Sequence, residues 1–140
     1  MVIQVCVGAL VLKRAGTAQI LLGKRTAARA FYPNVWDVPG GHCEAGESPE
    51  QTLVRELAEE IGVTPTAWHK LDELQLTTLG QADTLVMHFY AVTRWTGTPT
   101  NRQPEEHSEI GWFGIEEACT LDLADPEYPA LFRRAIAIIS

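Results

Sequence analysis

The chain predicts an α/β fold, a mixed β-sheet held between helices, and three observations predict it. A nearly continuous apolar run, Val2 to Leu12, has the length and β-branched content of a buried central strand. A segment with start and stop signals reads as a helix from about Pro49 to about Ile61. Strand-like segments follow that helix, and a second helical pattern closes the chain at Glu127 to Ile139, an order that fits helices packed on a mixed sheet.

The elements follow in order. After the first strand, Lys13 to Ala18 reads as a turn containing Gly16, and Gln19 to Gly23 as a short hairpin partner. Lys24 and Arg25 come next. They are either a solubilising strand end or a contact to phosphate or base, for which the planar Arg fork is suited. Thr26 to Pro33 is loop-like; Arg29, Phe31 and Tyr32 there either border a pocket or simply pack the loop. Asn34 to Val38 is a short strand carrying Trp36, and Pro39-Gly40-Gly41 reads as a tight turn.

The helix has the strongest local signals. Ser48 is its N-cap, Pro49 occupies the first helical position, and Gln51 completes a capping box. Gly62 supplies the positive φ that ends it. Leu53, Val54, Leu57 and Ile61 share a core-facing side, while Glu56, Glu59 and Glu60 share the adjoining one. Like charges at this spacing repel. The face is therefore either a solvated acidic surface or a site that a cation neutralises, and hard oxygen ligands suit Mg²⁺ or Mn²⁺ rather than zinc.

Pro65 to Leu79 reads as strand, with Trp68 and the alternating Leu71, Leu74 and Leu76; Gly80 to Asp83 is a turn, and Thr84 to Trp95 a second strand. Leu74–Leu79 and Leu85–Tyr90 form an antiparallel hairpin. Thr96 to Gln103 is loop. Glu105-Glu106-His107-Ser108-Glu109 leads into a strand at Ile110 to Phe113, and Asp125-Pro126 opens the last helix, whose Leu131, Ala135, Ile138 and Ile139 pack on the sheet. Asp125 serves as an N-cap in this reading. His42, His69, His88 and His107 do not fall into metal-ligand spacing, and His88 is a core or sheet-face residue. Cys43 is a structural thiol, since no paired His and orienting acid accompanies it.

Composition bounds the function. Residues 1–140 amount to one domain, 46% hydrophobic, enough for a core. A net charge of −7 argues against binding long nucleic acid through its phosphates. The three cysteines form no CxxC pair, so a reducing cytoplasm is expected. No apolar run reaches a membrane span, and no membrane partner is expected.

The segment GHCEAGESPEQTLVRELAEEIGV, Gly41 to Val63, resembles the Nudix box. Gly41, Glu47, Arg55-Glu56-Leu57, Glu59-Glu60 and Gly62-Val63 fill every defined position of that pattern. The resemblance implies a Nudix α/β/α sandwich and a metal-dependent hydrolase that cuts the diphosphate linkage of a nucleoside diphosphate joined to another group. Carried over by position, Glu56, Glu59 and Glu60 would be ligands of Mg²⁺, with Mn²⁺ the alternative. A backbone carbonyl of the Gly40-Gly41 pair, assigned to Gly41, would join them. Glu56 would also orient or deprotonate water, with Glu106 or Glu109, an extra acidic residue over the metal site, as the rival base. Arg55 would fix a glutamate through a forked ion pair, and Glu47 and Gly62 would be structural. MutT-type members imply a nucleotide contact at Arg25, with Lys24 behind it, and a purine-reading role for Asp125, which the N-cap explains equally.

The markers of ADP-ribose and dinucleoside polyphosphate subfamilies are missing from Thr77 to Gln81. What remains is a MutT-like reading: a nucleoside triphosphate, such as 8-oxo-dGTP, cut to the monophosphate and pyrophosphate by a monomer or homodimer. The alternatives are another nucleotide-linked diphosphate, or a Nudix-fold module that senses a nucleotide without hydrolysing it.

Overall fold

The computed structural model describes residues 3–29, 32–77 and 84–139. The expected positions of Val2 and Phe31, of Leu79, and of the Gly80 to Asp83 turn lie outside the described residues. So does most of the Thr77 to Gln81 segment, and the side chain of Leu76.

Strand β1 (Ile3–Ala15) is the centre of the sheet. One edge pairs in parallel with β6 (Thr84–Thr96), which pairs antiparallel with β5 (Thr64–Thr77). Leu74 stands opposite Met87 and Leu76 opposite Leu85, the register expected of the hairpin. The other edge of β1 is shared. Its Cys6–Gly8 portion pairs with β4 (Gly40–His42), and its Leu12–Ala15 portion with β2 (Thr17–Arg25). β2 in turn pairs with β3 (Trp36–Asp37) and β7 (His107–Gly114).

Two of these elements differ from expectation. The predicted Lys13 to Ala18 turn narrows to Gly16, whose φ of +79° lets the strands run on to Ala15 and from Thr17. The predicted turn at Pro39-Gly40-Gly41 is replaced at its glycines by β4, laid directly on β1. A Cβ at Gly40 would sit 1.9 Å from the Val7 carbonyl oxygen, so only glycine permits this approach.

Successive side chains of β1 feed opposite cores. Val7, Ala9 and Val11 meet Leu53, Leu57 and Ile61 of α1 (Pro49–Ile61). Leu10 and Leu12 meet Ala118 of α2 (Ile115–Thr120) and Tyr128, Leu131, Phe132 and Ala135 of α3 (Tyr128–Ile139). The sheet is thus mixed and covered by helices on both faces. Ile138, expected to pack, is 39% exposed. It lies in the last turn at the margin of the stripe, which Phe132 and Tyr128 fill instead.

α1 has the caps its sequence predicts. Ser48 accepts from the Gln51 amide at 3.1 Å and the Gln51 side chain accepts from the Ser48 amide at 2.8 Å. Gly62 closes the helix in the left-handed region at φ 72°. The β4–α1 arrangement places the acidic side of the helix against the glycine strand.

Candidate active site

Glu60 is the most enclosed carboxylate of α1, 6% exposed. Its Oε2 accepts from the Gly40 amide at 2.7 Å. Burial pushes its pKa up to about 9, and the neighbouring Glu56 adds to the rise. Glu56 is half-buried, and desolvation raises its pKa against the opposing pull of Arg55. Its carboxyl group lies over Gly41, where a Cβ would stand 2.5 Å from it. Glu59, one turn away, is exposed.

Arg55 ties this cluster to the preceding loop. Its Nε and Nη2 donate to the two oxygens of Glu47 at 2.8 and 3.0 Å, a forked pair. Nη1 donates to Glu56 at 2.9 Å and to Glu59 at 3.2 Å, and Nη2 also to the His42 carbonyl at 2.9 Å. Glu47 accepts further bonds from the Thr52 hydroxyl at 2.7 Å and the Glu44 amide at 3.0 Å. The Arg55 hydrogen bonds hold the Glu47 carboxyl down at about 2.

These groups border a cleft of about 890 Å³, the size range of small-molecule sites. Glu56, Glu59, Glu60, Gly41, Glu106 and His107 line it. Arg25 and Arg29 add positive charge. Arg25 reaches Asp37 at 3.6 Å and donates to the Tyr32 carbonyl at 3.0 Å, and Arg29 stands 3.9 Å from Glu106. Asp37 accepts from the Tyr128 hydroxyl at 2.6 Å, and burial raises both of their pKa values. Gln4, Gln75, Leu85, Met87, Phe89 and Asp125 add polar and apolar lining to the cleft. Strand β3 holds the chain just before Asp125, where Trp36 exchanges backbone hydrogen bonds with Asp122 and Ala124.

The donor set fits a divalent cation. Its members are carboxylate oxygens on one helix, a buried one among them, and the side-chain-free Gly41 lets the Glu56 carboxyl lie against β4. Among the described residues, one oxygen each of Glu60 and Glu106 and a ring nitrogen of His107 also lie within 4.8 Å of one another.

The comparisons agree with this geometry. A family model for the NUDIX domain matches residues 2–135. The chain belongs to the Nudix family. It is similar to an 8-oxo-dGTP diphosphatase of Escherichia coli K12, 37% identical over 91 residues, 65% of this chain and 69% of the relative. It is similar over a longer stretch to a CTP pyrophosphohydrolase of the same organism, 34% identical over 123 residues, 88% of this chain and 85% of the relative. A crystal structure of a MutT NUDIX hydrolase from Burkholderia pseudomallei superposes with a TM-score of 0.77 at 26% identity and covers 100% of both chains. The protein is therefore a Nudix hydrolase of MutT-like type, acting on diphosphate linkages of small nucleotides. Nudix hydrolases generally use divalent metals, and this cleft offers them an acidic site.

Of the Nudix-box positions, Gly41, Glu56, Glu59, Glu60, Arg55 and Glu47 come together, and Gly62 ends the helix that carries them. Arg25, Arg29, Tyr32, Glu106 and Asp125 line the cleft. Lys24 and Glu109 do not: they pair across β2–β7, outside the lining residues, and Lys24, next to Arg25 in one strand, projects to the other face. Asp125 does serve as a local cap, its Oδ1 accepting from the Glu127 amide at 2.7 Å, and α3 begins one residue later than expected. His88 is a sheet-face residue, 3.4 Å from Glu73. Cys43 packs against the α1 core.

Sequence reasoning missed His107 and Asp37. His107 has no metal-ligand spacing to other histidines, and its proximity to Glu60 is created by the β2–β7 pairing. Asp37 carries no local signal at all; its partner Tyr128 is remote in sequence.

Proposed function

We propose that this chain hydrolyses a nucleoside triphosphate to the monophosphate and pyrophosphate, with Mg²⁺ as its cofactor and an oxidised purine nucleotide such as 8-oxo-dGTP as its leading substrate. The observation that carries the reading is the convergence of the box carboxylates with Glu106 across one nucleotide-sized cleft. The similarity to an 8-oxo-dGTP diphosphatase supports the purine choice. The longer similarity to a CTP pyrophosphohydrolase favours a second reading, a cytidine nucleotide.

A divalent cation bound here supplies neutralisation of the polyphosphate and Lewis-acid activation at phosphorus. Glu56, Glu59, Glu60 and the Gly41 carbonyl hold it. Arg55 keeps Glu56 and Glu59 in place through its fork on Glu47. Glu106 takes the proton of the attacking water at a carboxylate oxygen; Glu56, already bonded to Arg55, is the alternative acceptor. Arg25 contacts the nucleotide, and Asp125 meets the edge of the base with the oxygen its cap bond leaves open. We place the chain in the cytoplasm as one domain, 1–140, a monomer or homodimer without long nucleic acid or membrane partners. In support, no helix among the described residues is long and apolar enough to cross a membrane.

A nucleotide panel with Mg²⁺ tests this. The expected result is pyrophosphate and monophosphate from 8-oxo-dGTP at the highest kcat/KM, with CTP next. Release of inorganic phosphate alone, or no turnover of any triphosphate, would contradict it.

A further inference from the structure

His107 is a buried polar side chain that the reaction above leaves without a task. It is 8% exposed. It lines the cleft beside the box carboxylates. The ring is lodged against Gly23, where a Cβ would lie 2.8 Å from its Cδ2. Its backbone is held as well: the amide donates to the Gln103 carbonyl at 3.0 Å and the carbonyl accepts from Asn101 at 2.7 Å.

The ring points into the acidic cleft. One of its nitrogens and one oxygen each of Glu60 and Glu106 lie within 4.8 Å of one another. Ligand atoms on opposite sides of a first-row cation stand about 4 Å apart, since each sits about 2 Å from the ion. A small adjustment of the side chains closes the set. Glu60 and Glu106 belong to the acidic site already described; the nitrogen is what changes its chemistry.

We propose that His107 supplies an imidazole nitrogen ligand, alongside one carboxylate oxygen each of Glu60 and Glu106, to a divalent cation in the cleft, and that this nitrogen moves the preference of that position from Mg²⁺ toward Mn²⁺. The inference rests on the reading that the acidic cleft holds a divalent cation. Imidazole suits transition metals, whereas Mg²⁺ takes oxygen donors, so a mixed nitrogen and oxygen set selects between them. Glu106 keeps its second carboxylate oxygen for the attacking water.

The test uses wild-type protein loaded with Mn²⁺ without nucleotide, measured by electron spin echo envelope modulation. The expected result is ¹⁴N modulation from a directly bound imidazole, replaced by a ¹⁵N pattern in protein labelled with [¹⁵N]histidine. His107→Gln loses the nitrogen signal and weakens Mn²⁺ binding in calorimetry by at least about tenfold, the minimum expected for disturbing a metal's ligand shell. Its Mg²⁺ affinity, set by the carboxylates, changes by less than about threefold. His42→Gln, at the other cleft-lining histidine, keeps the signal. Should His107→Gln fail to fold, Gly23→Ala displaces the ring while keeping the imidazole, and it weakens the nitrogen coupling. Mn²⁺ bound without nitrogen coupling in the wild type would overturn the inference alone. No binding of either cation would overturn the metal-site reading with it.

Discussion

Arg55 distributes its donors over Glu47, Glu56, Glu59 and the His42 carbonyl, so one guanidinium sets the spacing of the loop and of two cluster carboxylates. A lysine there keeps the charge and loses the fork. Arg55→Lys should therefore lower kcat about 10- to 100-fold, the usual cost of disturbing groups that orient metal ligands. Circular dichroism should show the fold retained, and KM for the nucleotide should move little. Glu60 makes a pH-dependent prediction for the metal-free protein. Its pKa rises on folding from the ordinary 4.5 to about 9, because burial disfavours the charged form. The stability it contributes is fully present below about 4.5 and is lost as pH climbs toward about 9. Denaturant titrations of wild type and Glu60→Gln across that range should show the wild type losing stability relative to the variant. Parallel curves would contradict the assignment. At this scale the sequence identified the box glutamates and Arg55, because their identities and spacing lie within one helix. It could not identify His107 or Asp37, whose partners are brought to them by strand pairing and by α3.

Helix α1 was legible almost to the residue because its determinants are local: a hydroxyl that reaches the Gln51 amide, a proline at the first position, and a glycine that adopts φ 72°. Removing the hydroxyl leaves first-turn donors without their acceptor. Ser48→Ala should cost about 1 kcal/mol of unfolding free energy, measured by urea denaturation, with activity per folded molecule nearly unchanged. Strand β4 was not legible. Its glycines carry an ordinary turn signal, and only the approach of Gly40 to the Val7 carbonyl, a long-range contact, makes them a strand. The same limit explains Lys24. Its place outside the cleft follows from strand alternation in β2, which runs on through Lys24 and Arg25 beyond the expected end at Gly23.

In the proposed reading, the molecule reconciles a net charge of −7 with a polyanionic substrate by concentrating carboxylates where a cation would neutralise them and setting Arg25 and Arg29 beside the cleft. The two cores on either side of β1 keep that geometry rigid: α1 is anchored by Leu53, Leu57 and Ile61 on one face, and α3 carries Tyr128 to Asp37 from the other. The mixed sheet with helices on both faces followed from the apolar run of β1 and the order of elements. The cleft did not, because its walls come from β1, β4, α1, β6 and the loop before β7, which meet only in the folded chain.

The central claim is that the α1 carboxylates hold the divalent cation on which cleavage depends. Pyrophosphate release from a nucleoside triphosphate, measured against Mg²⁺ concentration for wild type and Glu59→Gln, tests it most directly. The wild type should be inactive without the cation and rise to saturation with it. The variant, folded by circular dichroism, should need more Mg²⁺ and reach a kcat lower by at least about 100-fold, several kcal/mol of transition-state stabilisation. Equal turnover in the two proteins at saturating Mg²⁺, or wild-type turnover in excess chelator, would contradict the account.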